Sequence, residues 1–170
     1  PYGAIGANYG YAMIAQRYMH EFKLKPEQLA KIAVAQRYNA CHNPEAIFYG
    51  QPITIDDVLN SPVVVDPLHM LEIVMPCVGG AAVVVASAEV AARAANRPVW
   101  IKGFGEQVPY KTPTYAEDLL ETPIIRAAET AFAMSGLIRQ QMDMVSIYDC
   151  YTITVLMSLE DAGFCAKGKG

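Results

Sequence analysis

The stretch VSIYDCYTITVLMSLEDAGFCAKG, residues 145–168, decides how the whole chain reads. Val145, Ser146, Ile147 and Tyr148 suit a short buried strand, and Asp149 suits a helix N-cap. Residues 150–161 then carry Ile153, Leu156 and Leu159 at helical spacing, with Gly163 as a stop. A strand that turns at once into a helix puts the residues of its turn at a strand carboxyl end and a helix amino end. Open α/β folds place ligands there, and backbone N–H groups there favour negative charge. Tyr148 and Asp149 are therefore the candidate catalytic pair. The same two residues also suit a packed phenol and a capping carboxylate, so their position alone does not define a reaction.

Outward from that stretch, the chain alternates. Residues 2–22 place Tyr11, Ile14, Ala15, Tyr18 and Met19 on one helical face, with Gly3, Gly6 and Gly10 at the front. Pro26 opens a second helix that turns Leu29, Ile32, Ala33 and Gln36 inward and ends before Pro44. Thr54 caps a short helix through Leu59. Residues 63–65 are extended, residues 68–74 are ambiguous between helix and strand, and residues 81–86 form the clearest strand, apolar on both faces. Ser87 caps a helix over residues 88–95. Residues 98–103 form a further strand, residues 106–121 a polar loop punctuated by Pro109 and Pro113, and residues 123–136 a helix stopped near Gly136. This order is that of an α/β chain with crossover connections.

Composition narrows the function classes. Of 170 residues, 53% are hydrophobic and 18% charged, where an ordinary domain is nearer a quarter charged. No apolar run reaches the roughly 18–20 residues of a membrane span. The surplus apolar surface predicts contact with other copies, making a homo-oligomer, or with further polypeptide. A net charge of −4 argues against nucleic acid as a partner. Cys41, Cys77, Cys150 and Cys165 have no metal-site spacing, so free thiols, no metal and a reducing, cytoplasmic setting are expected. His20, His42 and His69 read as surface or packing residues, as do Met142 and Met144 in the core. Tyr9, Tyr11 and Tyr18 read as lining a helix interface. Gly103-Phe104-Gly105 is a lone GxG, too weak for dinucleotide binding. The start on Pro1, without Met, reads as a cut from a longer chain.

Seven pieces in order resemble a known family. They are residues 12–19 (AMIAQRYM), Asn39-Ala40 with Asn43-Pro44, residues 53–59 (ITIDDVL), Asp66-Pro67-Leu68, residues 80–85 (GAAVVV), residues 148–152 (YDCYT) and residues 159–165 (LEDAGFC). Together they resemble the thiolase superfamily, in its sterol-carrier-protein-2 thiolase or lipid-transfer-protein branch. The resemblance implies a partial thiolase-like fold: a helical loop domain plus parts of two βαβ halves. On that map residues 1–62 belong to the loop domain, 63–97 end the N-terminal half, and 98–170 begin the C-terminal half, with the seam near Asn96-Arg97-Pro98.

The resemblance also implies an enzyme that makes or breaks a carbon–carbon bond of an acyl-coenzyme A thioester, coenzyme A entering as part of the substrate. None of the four cysteines matches the family nucleophile. That cysteine would lie before residue 1, and the later His- and Cys-containing motifs after residue 170, so this piece alone is expected to be inactive. Two departures bear on chemistry. Tyr148 stands where the branch usually has His and ordinary thiolases have Asn, at an oxyanion-binding position. Tyrosine there resembles the thiolase-like aldolases of steroid side-chain breakdown, which dispense with the cysteine and work with a DUF35-type partner. Gly79 stands where Asp commonly precedes Gly-Ala-Ala. A non-catalytic scaffold binding acyl-coenzyme A or lipid is the remaining alternative.

Overall fold

The most buried element is a late helix whose sequence is poorly suited to helix. It runs Thr152–Asp161, and it opens on four β-branched residues in succession, Thr152, Ile153, Thr154 and Val155. Burial overrides propensity here. Ile153, Leu156 and Met157 are all buried, and helices from both ends of the chain pack against this one. The computed structural model describes residues 3–4, 6–112 and 115–170. Expectations that fall on Pro1, Tyr2 and Pro113 lie outside them.

In chain order the elements are α1 (Ala7–Phe22), α2 (Pro26–Cys41), α3 (Ile55–Leu59), β1 (Val63–Val65), β2 (Leu68–His69), a 3-10 turn (Met70–Glu72), α4 (Ala88–Ala91), α5 (Ile124–Ser135), a second 3-10 turn (Arg139–Gln141) and α6 (Thr152–Asp161). The expected stripe of α1 is present, with Ala12, Ile14, Ala15 and Tyr18 buried. Pro26 opens α2, and the Lys25 N–H donates to Gln28 Oε1 at 2.9 Å. Leu29 and Ala30 are its buried residues, and Ile32 packs at the core's edge. At α3 the Asp57 N–H donates to Thr54 Oγ1 at 3.1 Å while the Thr54 N–H donates to Asp57 Oδ2 at 2.8 Å, a reciprocal cap. Ser87 caps α4 through the Val90 N–H at 3.4 Å. Gly136, at φ 67°, ends α5 in the left-handed region that glycine reaches without strain.

The ambiguous residues 68–74 resolve into β2 and a 3-10 turn, with β2 antiparallel to β1. Three expected strands are not formed among the described residues: 81–86, 98–103 and 145–148 carry no ladder hydrogen bonds. The side chains of Val83, Val84 and Ile101 are largely exposed. The helix expected over residues 88–95 is a single turn at Ala88–Ala91. The three strands share one reason. A strand apolar on both faces is stable only with neighbours on its edges and layers on both faces, and the described residues supply neither.

Residues 103–105 nevertheless lie along α5. A Cβ on Gly105 would meet the Ala127 carbonyl oxygen, and one on Gly103 the Ala131 carbonyl oxygen one helical turn later. The glycine pair is thus there for close backbone approach to a helix, not for a nucleotide.

Candidate active site

Approaching α6 from its amino side, the backbone is pinned at Cys150 and Tyr151. The Val74 N–H donates to the Cys150 carbonyl at 2.9 Å, and Ile73 bridges Tyr151 in antiparallel sense. Tyr151 is held extended at φ −144° and ψ 150° and is itself the N-cap, with no side-chain cap bond. Asp149 therefore does not cap α6, as its sequence position suggested. The long-range bridge keeps two more residues out of the helix, and its first turn starts only at Thr152. Asp149 is exposed, and its carboxylate accepts no hydrogen bond among the described residues.

Tyr148 is 74% exposed. Val145 and Ile147, before it, share an apolar cleft of about 250 Å³ with Ile32, Ala35, Val155 and Leu159. That alternation is the pattern of an extended chain, in which Ser146 and Tyr148 face the other way. The phenol is thus open to solvent, with its apolar neighbours turned towards α2 and α6.

Behind the pair lies a cluster that sequence reasoning treated only as a helix interface. Tyr11 of α1 stacks on Tyr151 with ring centroids 4.1 Å apart and an interplanar angle of 23°. Tyr151 donates its hydroxyl proton to Asn8 Oδ1 at 2.6 Å. Cys150 is buried, with its sulfur 3.5 Å from Thr154 Oγ1. Burial, followed by the neighbouring Cys150, Tyr151 and Tyr148, pushes the Tyr11 phenol up to about 12, and burial with Cys150 and Tyr148 raises that of Tyr151. Both phenols remain protonated donors at neutral pH. Of the three tyrosines expected at a helix interface, Tyr11 and Tyr18 lie in one, whereas Tyr9 is 39% exposed.

A second group at the α6 amino end was also missed. Glu72 is 4% exposed. Its Oε2 accepts from the His69 N–H at 2.9 Å and lies 3.1 Å from His69 Nδ1, and its Oε1 accepts from Thr152 Oγ1 at 3.3 Å. His69 is therefore a packing residue, as expected, held by a buried carboxylate. The only sequence signal was an acid three residues after a histidine, which says nothing of the partner on α6.

At the far end of α6, Glu160 is 6% exposed, and its Oε1 accepts from the backbone N–H groups of Gly168, Lys169 and Gly170 at 2.9, 3.1 and 3.0 Å. Lys167 bridges to Asp161 at 2.7 Å, and Asp161 Oδ2 accepts from the Thr122 N–H at 2.8 Å. Burial, then Glu160, raises the Cys165 thiol. All four cysteines are free. No described helix is long and apolar enough to cross a membrane.

Comparison with known proteins gives the relatives of this chain. Residues 105–170 match the family model described as thiolase C-terminal domain-like. A steroid side-chain-cleaving aldolase of Thermomonospora curvata is 36% identical over 99% of this chain and 44% of its own length. An acetyl-CoA acetyltransferase of Methanothermobacter thermautotrophicus is 34% identical over 94% of this chain and 42% of its own. The solved structure of an Ltp2-ChsH2(DUF35) aldolase superposes with a TM-score of 0.93 at 35% identity, covering 99% of this chain and 46% of that one. The chain thus spans less than half the length of these relatives, and its fold is a part of theirs.

Proposed function

The chain belongs to the thiolase superfamily, and from that premise we propose that it is part of a larger enzyme that makes or breaks a carbon–carbon bond beside the carbonyl of an acyl-coenzyme A thioester. The exposed Tyr148 phenol, standing where the chain turns into α6, carries this reading. Within it, residues 1–62 form part of a helical loop domain, 63–97 end one βαβ half, and 98–170 begin the other. The unpaired apolar segments 81–86, 98–103 and 145–148 are then strands completed by the rest of the enzyme, in a cytoplasmic homo-oligomer.

In the reaction, the O–H of Tyr148 donates a hydrogen bond to the thioester oxygen as it gains negative charge. One such donor is worth roughly 3 kcal/mol in the transition state. Asp149 is the adjacent acid–base group, exposed and free of any capping duty.

Retro-aldol cleavage is the form of this chemistry that Tyr148 favours. A base takes the β-hydroxyl proton, the bond between the α and β carbons breaks to give a ketone or aldehyde, and the electron pair enters a thioester enolate. That enolate is protonated at its α carbon to leave the shortened acyl-coenzyme A. Support comes from the phenol itself and from the names of the aldolase relatives, one of which is solved with a DUF35 component. A DUF35-type protein is accordingly the proposed partner. Acyl transfer through a cysteine in the remaining polypeptide is the other form.

The test uses the full-length protein that carries this chain, alone and with its DUF35-type partner. It is assayed for thiolysis of acetoacetyl-coenzyme A and for retro-aldol cleavage of a 3-hydroxyacyl-coenzyme A. Tyr148→Phe is expected to lower kcat by roughly 100-fold or more with acyl-coenzyme A binding kept. Unchanged turnover in that variant would remove Tyr148 from the reaction, and binding without turnover in the wild type would favour a scaffold.

A further inference from the structure

Tyr148 is exposed, yet a hydrogen-bond donor to a transient oxyanion has to be held in one direction. What holds it is not local. In the reading above, the strand at 145–148 is paired by the rest of the enzyme and holds Tyr148 from one side; on the other side, the first point that the described residues fix is Cys150 and Tyr151. Three contacts converge on Tyr151: Ile73 through the backbone bridge, and from α1 Tyr11 through the ring stack at 4.1 Å and Asn8 through the 2.6 Å hydrogen bond.

Asn8 and Tyr11 are three residues apart on α1, one turn of the same face, so a single helix turn grips both the ring and the hydroxyl of Tyr151. Gripping the two ends of one aromatic side chain removes its rotation as well as its translation. Tyr151 also sets where α6 begins, and therefore the course of the backbone that carries Tyr148.

We propose that Tyr11 is a positioning residue, which with Asn8 clamps Tyr151 and so fixes the direction of the Tyr148 phenol. The inference rests on the reading of Tyr148 given above and adds that the first turn of α1 serves the site. The stack performs the clamping, and the Tyr11 hydroxyl does not.

The experiment compares Tyr11→Leu, Tyr11→Phe and Asn8→Ala in the full-length protein by amide hydrogen exchange and by turnover of the thioester probes. Tyr11→Leu should raise exchange of the 148–151 amides about tenfold while those of residues 155–160 stay within twofold. It should lower kcat roughly 10- to 100-fold with KM within twofold, the size expected for misplacing a reacting group. Tyr11→Phe, which keeps the stack, should match the wild type in both, and Asn8→Ala should lower kcat two- to fivefold. Should Tyr11→Leu leave exchange and kcat unchanged, or Tyr11→Phe prove as damaging as Tyr11→Leu, the clamp is wrong. If Tyr11→Leu fails to fold, Asn8→Ala decides: wild-type exchange at 148–151 in that variant overturns the proposal. An active Tyr148→Phe variant would instead sink the reading of Tyr148, and the exchange data would still judge the clamp.

Discussion

Tyr18, near the start of the chain, donates its hydroxyl proton to Glu160 Oε1 at 2.5 Å, across 142 residues of sequence. Both side chains are buried, and the carboxylate oxygen they share also collects the N–H groups of residues 168–170. One acid therefore fastens α1, α6 and the segment after α6 together. Its second oxygen, Oε2, has no hydrogen-bond partner among the described residues and is 3.8 Å from Lys167 Nζ.

Removing that acid leaves four donors without an acceptor. Glu160→Ala is expected to destabilise the protein by about 3–5 kcal/mol, as when one partner of a buried charged network is deleted. Glu160→Gln, which keeps an acceptor oxygen, should cost about 1–2 kcal/mol. Urea unfolding midpoints measure both. A loss below about 1 kcal/mol in the alanine variant would mean that the network does not hold these elements together.

Stability at high pH should follow the buried phenols. Tyr11 moves from an ordinary value of 10.0 to about 12, first by burial and then through its neighbours. Burial, then Glu160, pushes Tyr18 up as well. A group that holds its proton more tightly when folded contributes stability that is whole below the unfolded pKa and is lost as pH rises through the folded one. Resistance to urea should therefore fall between about pH 10 and 12. Tyr11→Phe should flatten that fall, and an unaltered pH slope in this variant would contradict the burial of the phenol.

Close approach at α5 makes a steric prediction. At Gly103 and Gly105 an added methyl meets helix backbone, which cannot step aside as a side chain tip can. Gly105→Ala and Gly103→Ala should each cost about 2–4 kcal/mol. Gly10, inside α1 with open space around it, is the contrasting position: Gly10→Ala should stabilise by about 0.5–1 kcal/mol. Thermal unfolding of the three variants side by side distinguishes the cases.

Since Asp149 does not cap α6, its loss should spare the fold. Asp149→Asn is expected to change stability by less than about 0.5 kcal/mol while lowering kcat in the full-length enzyme. A destabilisation of about 1 kcal/mol, the usual worth of a lost cap, would restore the capping role that its sequence position suggests.

The sequence by itself determined what is settled within a turn or two of chain. Thr54 and Ser87 as caps, Pro26 as a helix start and Gly136 as a stop all stand, because a cap is made between residues three positions apart. The ordered pieces from residue 12 to residue 165 also determined the family, which the comparisons bear out over the whole chain. Tertiary structure alone decided the rest. The Ile73 bridge moved the N-cap of α6 from Asp149 to Tyr151 and its start from Cys150 to Thr152, and buried partners far away gave Glu72, Glu160 and Tyr11 their places. Segments 81–86 and 98–103 show the same rule from the other side. Their residues specify a strand's surface, but a strand exists only through hydrogen bonds to a neighbour, and that neighbour is set by packing rather than by the segment itself.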